Sequence, residues 1–156
     1  MQTSAVPAAI AALLDICRTA PGLDGVTVVD GPPTMDMSDA DLVAIGWAPG
    51  GDGGGAELVQ DFAYAGARSR DEDFSITFWV ESWSGDDDIA ARRVRAFELL
   101  AVIEAAIRAT GPTPDAPTLG GAVLWAHLTR AQLQQIATDQ GARVGITGTV
   151  TCRARI

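Results

Sequence analysis

Two short acidic segments are the parts of this chain whose residue types and spacing could do chemistry. Segments 71–73 (DED) and 86–88 (DDD) each place three carboxyl groups side by side, and paired carboxylates can act as general acid and general base. A simpler interpretation fits both: the first segment suits a solvated turn, and the second suits the first turn of a helix, where negative charge interacts favourably with the helix dipole. We favour the simpler interpretation and keep an enzyme built on these clusters as an alternative.

The remaining candidate groups do not form a recognisable chemical site. His127, the one histidine, lies in an apolar stretch, which is typical of a structural or surface residue. Cys17 and Cys152 lie near opposite ends of the chain without metal-site spacing, so we predict two buried free thiols. The glycine-rich segment 49–55 (PGGDGGG), which contains Asp52, lacks the residues of a phosphate-binding loop or a calcium loop. We therefore expect no catalytic residues, no metal and no cofactor.

Hydrophobic periodicity and turn residues predict the elements that would position these groups. Apolar residues at helical spacing predict two helices, and β-branched or alternating runs predict strands. At residues 131–138 the spacing of Leu133 and Ile136 suits a helix, while the context favours an extended strand. Residues 69–72 suit a hairpin turn. The predicted helices span 4–20 and 87–109, and the predicted strands span 26–30, 42–47, 57–68, 73–84, 121–129 and 142–156.

The strand predicted at 73–84 alternates with a period of two, which divides its side chains between two faces. Phe74 and Phe78 share one face with neighbouring aliphatic residues, and Trp79 and Trp83 share the other. If helices cover the phenylalanine face, the two tryptophans lie on the open face of the sheet. Large aromatic residues there indicate a protein interface, and a place in the core is the equal alternative.

The order of the elements predicts the fold class. One helix, four strands, a long helix and two or three strands indicate a single α+β domain spanning 1–156. We expect a largely antiparallel or mixed sheet of about five to seven strands with two helices packed on one face. In the long helix, one wide buried face is predicted for Val94, Phe97, Leu99, Leu100, Ala101, Ile103 and Ile107.

The composition argues against several classes of function. The formal net charge is −9, and all 11 of the basic residues are arginine. Binding to DNA or to anionic membranes needs clustered positive charge, whereas an acidic surface suits a channel through which DNA slides. No apolar run is long enough to cross a bilayer, and no basic segment precedes the N-terminal apolar residues, so we expect a protein that folds in the cytoplasm.

Several segments, taken in this order, resemble a known family. They are 26–33 (VTVVDGPP), the strand ending at 45–47 (IGW), the long helix 92–109 (RRVRAFELLAVIEAAIRA) and 141–143 (GAR), which leads into the final strand. With the helix before them they cover nearly the whole chain. The chain is similar to the tail terminator, or tail completion, proteins of long-tailed bacteriophages and prophages.

This resemblance implies a non-catalytic structural protein of the virion. Members of the family have an α+β fold and form a ring, usually a homo-hexamer, that caps the tail tube and ends its growth. The implied partners are further copies of the chain, the major tail tube protein and the head–tail connector protein, and DNA passes through without specific binding. The implied location is the virion tail, after assembly in the host cytoplasm.

A ring around passing DNA suggests a place for the acidic residues. We predict that Asp52, Asp71, Glu72 and Asp73 lie in loops at or near the lumen, where they would repel phosphate groups. Trp79 and Trp83 are the predicted interface aromatic residues.

Two further alternatives remain at this point. One is a different phage part, such as a head–tail connector or a minor tail protein, which would share the composition and the ring. The other is a small-molecule-binding bacterial α+β domain, with an apolar pocket lined by Trp83 and Trp125.

Overall fold

The computed structural model describes residues 2–34, 41–50, 54–66 and 68–156. Within these residues, two α-helices and six strands form an α+β fold, as the sequence predicts. The elements are α1 (Val6–Thr19), a 3₁₀ turn (Pro21–Leu23), β1 (Thr27–Asp30), β2 (Asp41–Ile45), β3 (Ala56–Phe62), β4 (Arg70–Trp83), α2 (Ile89–Arg108), β5 (Trp125–Thr138) and β6 (Gly141–Arg155).

The long strand β4 organises a mixed sheet. The strand order is β1-β2-β4-β6-β5, and β3 pairs with β4 beside that path. On one edge of β4, the first half pairs with β3 and the second half pairs with β2, whereas β6 follows almost the whole of the other edge. The β1–β2 pair is parallel and the other strand pairs are antiparallel.

Both helices cover one face of this sheet, which confirms the predicted layering. Helix α1 contacts β1, β2 and β4, and α2 contacts β4, β5 and β6. The alternating residues of β4 divide between the faces as expected, because Phe74 and Phe78 lie in the core with Leu13, Leu99 and Ile103 from the helices. Burial of this apolar surface is the main force that holds the layers together.

The acidic segment 86–88 directly precedes α2, with Asp88 as its N-cap, instead of lying in the first turn as predicted. The carboxylate of Asp88 accepts a hydrogen bond from the backbone N–H of Ala91 at 3.0 Å. The carboxylate of Asp86 accepts from the backbone N–H of Asp88 at 3.2 Å. Side-chain oxygens thus satisfy amide groups that a helix leaves without partners at its N-terminus.

Two sequence predictions of secondary structure are wrong, and one open alternative is decided. The turn predicted at 69–72 lies mostly inside β4, because β4 begins at Arg70 and pairs with β3 from there. Residues 121–124 precede β5 instead of forming its start. Residues 131–138 are extended, which confirms the conformation that their context favours; they continue the strand from 125–129, and a β-bulge between Leu128 and Arg130 adds one residue.

Candidate assembly surfaces

Glu72 is fully buried and anchors the start of α1. Its Oε1 accepts hydrogen bonds from the backbone N–H of Ala5 at 2.8 Å and from the hydroxyl of Ser4 at 3.0 Å. Its Oε2 accepts from the side-chain amide of Gln60, which also donates to the carbonyl of Thr3 at 2.7 Å. The prediction that Glu72 lies in an accessible loop is therefore wrong, because its strand position points toward the helices and its carboxylate caps one of them.

Asp71 and Asp73 lie on the opposite, open face of the sheet, where arginines of β6 neutralise them. Asp71 pairs with Arg155 at 2.7 Å and with Arg153 at 3.3 Å, and Asp73 lies 3.8 Å from Arg153. Hydrogen bonds from Arg155, together with those from Arg153, lower the pKa of the Asp71 carboxyl. Two carboxylates thus face two guanidinium groups, so this corner of the sheet carries little net charge. Their predicted place near a lumen stays a prediction.

Asp52, the fourth predicted lumen residue, lies outside the described residues. The structure does not bring the predicted acidic residues together. Glu72 faces the helices, while Asp71 and Asp73 lie on the opposite face of the sheet. Among the described residues, no group of three or more histidine, cysteine, aspartate or glutamate side chains is arranged to hold a metal ion.

Trp79 lies on the face opposite the helices, as predicted, but it is only 5% exposed. It packs with Leu42 and Ala44 of β2 in a small second apolar cluster, against which Trp47 also packs. Its indole lies across Gly145 of β6, where any Cβ would overlap the ring. Of the two alternatives, the burial of Trp79 fits a place in the core, and its interface role, like that of Trp83, stays a prediction.

Trp83 is half-buried at the far end of β4. The guanidinium carbon of Arg143 lies 5.6 Å from its ring centroid, in cation–π contact. Arg143 also lies 3.7 Å from the carboxylate of Glu81, whose pKa burial raises. Trp83 therefore belongs to an ordered polar corner of the open face.

The pocket suggested for Trp83 and Trp125 does not exist in this fold. Trp83 pairs with Arg143 and Trp125 pairs with Arg153, ten residues further along β6. At about 3.3 Å per residue the two indoles are separated by roughly 33 Å. Trp125 instead stacks on His127, with ring centroids 5.7 Å apart, which supplies a structural role for that histidine.

The two cysteines are buried free thiols, as the sequence predicts. Cys17 lies on the buried side of α1, and Cys152 lies on the helix-facing side of β6. Burial raises the pKa of each thiol to about 12, so neither is a reactive thiolate at neutral pH.

Strand β3 carries an exposed apolar surface that the sequence analysis did not single out. We define the β3 surface as Glu57, Leu58, Val59, Asp61 and Phe62, all of which are exposed. Phe62 is 72% exposed and Val59 is 60% exposed. In the described part of the chain, β3 pairs with β4 alone, so its outer edge is free. Leu58 and Val59 are adjacent apolar residues of a strand, and since adjacent side chains point to opposite faces, this pair is a signal that sequence reasoning could have used.

A second exposed apolar surface lies on the opposite edge, where α2 overhangs β5. We define the α2–β5 surface as Arg93, Val94, Phe97, Arg130 and Ile136, and all five are exposed. Val94 is 60% exposed and Ile136 is 51% exposed. Arg93 joins the two elements by a 2.7 Å hydrogen bond to the side chain of Gln135.

The position of Val94 and Phe97 corrects the predicted wide face of α2. The sheet buries Leu99, Leu100, Ile103 and Ile107, whereas Val94, Phe97 and Ala101 point outward. One helix in a two-layer fold can bury only one side against the sheet. An apolar stripe on the other side of α2 is consequently left uncovered in the single subunit.

Comparisons with known proteins add a likeness of fold. No family model matches the chain, and no curated protein matches it. Among solved structures, a chain from the virion of a native gene transfer agent particle is similar, with a TM-score of 0.56 and 15% sequence identity. The likeness covers 98% of this chain and 100% of that chain. At 15% sequence identity, this likeness shows that the two chains share a fold.

No helix in the described residues is long and apolar enough to span a membrane.

Proposed function

We propose that this protein is a structural component of a phage-like virion and that it forms a ring capping the tail tube. The fold that it shares from end to end with a chain of a gene transfer agent virion carries this proposal. The segments that resemble tail terminator proteins favour the tail end as its place. The ring would end tube growth and join the tail to the head.

The distribution of exposed apolar residues supports assembly through contacts between subunits. Exposed apolar patches of this kind are typical of protein–protein contact sites. The β3 surface and the α2–β5 surface lie on opposite edges of the sheet. They therefore cannot cover each other within one subunit, and contacts with other subunits are needed to bury both. Contacts that repeat between unlike surfaces close into a ring when the rotation per subunit permits.

The charge of the chain suits a passage for DNA. With a net charge of −9, the subunit offers phosphate groups little attraction. We keep Asp52, Asp71 and Asp73 as the proposed residues near the lumen and exclude Glu72, because it is buried. The further copies, the tail tube protein and the head–tail connector protein are the proposed partners.

Electron microscopy of purified protein mixed with tail tubes and, separately, with empty heads tests the function. The tubes and heads would come from the phage or prophage whose genes adjoin that of this chain. We expect a ring on one end of each tube and an arrest of further tube growth. Docking on heads with no density on tubes would instead favour the connector, and absence from both would refute a role in tail joining.

A further inference from the structure

The β3 surface and the α2–β5 surface match each other when the sheet of one subunit is extended by the next. Residues of β3 that pair with helix-facing residues of β4 also face the helices, and these are Leu58 and Phe62. The other three residues of the β3 surface, Glu57, Val59 and Asp61, face the open side of the sheet. The β3 surface is therefore apolar on its helix side and mainly acidic on its open side.

The α2–β5 surface has the complementary arrangement. Val94 and Phe97 lie on its helix side, because α2 belongs to the helix layer. Arg130 and Ile136 face the open side, since each pairs with an open-face residue of β6. In a continued sheet with both helix layers on the same side, apolar residues would meet apolar residues in the helix layer. On the open face, the Arg130 guanidinium would meet carboxylates.

We propose that the β3 edge of one copy of this chain docks against the α2–β5 edge of the next copy, head to tail; this rests on the proposed ring. Among the described residues, β5 forms a strand pair with β6 alone; the N–H of Ala126 at its start donates to the carbonyl of Pro117 at 2.9 Å, so the part of the outer edge of β5 from Arg130 onward is the part proposed to pair with β3. Strand addition of this type combines main-chain hydrogen bonds with specificity from the side chains.

Charge argues against the two-fold alternative. If two copies met through their β3 surfaces, Glu57 and Asp61 of one copy would face the same carboxylates of the other, and like charges across an interface are strongly unfavourable. Two α2–β5 surfaces would likewise oppose their arginines. The head-to-tail contact pairs opposite charges, and it leaves no free surface of either kind once the ring is closed.

Charge reversal on each surface tests the contact. The β3-reversed variant carries Glu57→Arg and Asp61→Arg, and the α2–β5-reversed variant carries Arg93→Glu and Arg130→Glu. All four side chains are exposed, so the variants should keep the circular dichroism spectrum and the melting temperature of the wild type. Native mass spectrometry over a range of concentrations measures self-association, with and without tail tubes.

We expect each reversed variant to self-associate at least about tenfold more weakly than the wild type. An equimolar mixture of the two should assemble again, because the subunits can alternate with opposite charges at every contact. A single chain with all four substitutions should also assemble. Reversed variants that assemble like the wild type, or a mixture and a fourfold variant that stay monomeric, would overturn the proposed contact.

The outcomes separate this inference from the proposed function. If the wild type caps tubes and the reversed variants assemble and cap equally well, the head-to-tail contact is refuted and the proposed tail function is retained. Restored assembly in the mixture, with no binding to tubes, would support the contact and refute tail capping. Loss of tube binding alone in the β3-reversed variant would assign β3 to the tube protein and overturn our assignment.

Discussion

Replacement of Glu72 by alanine should destabilise the protein strongly, although the residue looks like part of a solvated acidic run. The substitution removes the acceptor of hydrogen bonds from Ala5, Ser4 and Gln60. The Ala5 N–H is buried, and a buried donor left without a partner costs about 1–3 kcal/mol. Ser4 and Gln60 can turn toward water, so their lost bonds add about 1 kcal/mol together.

The expected loss in the free energy of unfolding is therefore about 2–4 kcal/mol, a large part of the roughly 5–15 kcal/mol typical of a domain. In a chain of this size the melting temperature should fall by roughly 4–16 °C. Glu72→Gln keeps the shape of the side chain and one acceptor oxygen, but its new NH₂ group would face the NH₂ group of Gln60. We therefore expect the free energy of unfolding to fall by only about 1 kcal/mol.

Urea denaturation followed by circular dichroism measures these losses, and Asp73→Ala is the matched control. Asp73 lies on the same strand and is exposed on the open face, so its loss should change stability by no more than about 0.5 kcal/mol. Hydrogen exchange adds a local measurement, because the amide of Ala5 should lose protection in Glu72→Ala. If Glu72→Ala were as stable as Asp73→Ala, the capping role assigned to this carboxylate would be refuted.

Three further outcomes are expected. Gly148→Ala should cost about 1–3 kcal/mol in urea denaturation because its Cβ would overlap a buried phenylalanine ring, whereas Gly54→Ala, which has room, should change stability by no more than about 0.5 kcal/mol; equal losses would contradict the packing. The lowered pKa of Asp71 stabilises the folded state above the ordinary carboxyl pKa, and this contribution disappears as the pH falls through the lowered value. Asp71→Asn should accordingly flatten the decline of stability in acid, and an unchanged slope would argue against the two arginine pairs. Cys17 and Cys152 should not react with a thiol reagent at pH 8 until urea unfolds the chain, since burial raises the pKa of each to about 12; rapid labelling of the folded protein would exclude that burial.

Local patterns predicted much of the fold. The period of two in β4 assigned Phe74 and Phe78 to the helix side, and the acidic run before α2 marked the start of that helix. These inferences succeed because strand alternation and helix capping depend on neighbouring residues. The α+β layering followed from the order of such elements.

The errors concern contacts between distant parts of the chain. Glu72 lies in a polar segment, and only the approach of the N-terminal residues makes its burial favourable. Trp79 is covered by β2 and lies across Gly145, which is 66 positions away in sequence. The exposed side of α2 was missed because this helix carries apolar residues on two sides, and their spacing alone does not show which side meets the sheet.

The bulge in β5 has a consequence for how this strand can tolerate insertions and deletions. Because side chains alternate with a period of two, the extra residue at Thr129 reverses the phase of every later position in the strand. Loss of Thr129 would remove the bulge, and Leu128 and Arg130 would still pair with Val150 and Thr149, so Arg130 and Ile136 would stay on the open side and Leu133 on the helix side. Loss of a residue between Arg130 and Ile136 would instead turn part of the strand to the opposite face, so Thr129 is a position of β5 where one residue can be lost while the side chains of this edge keep their faces.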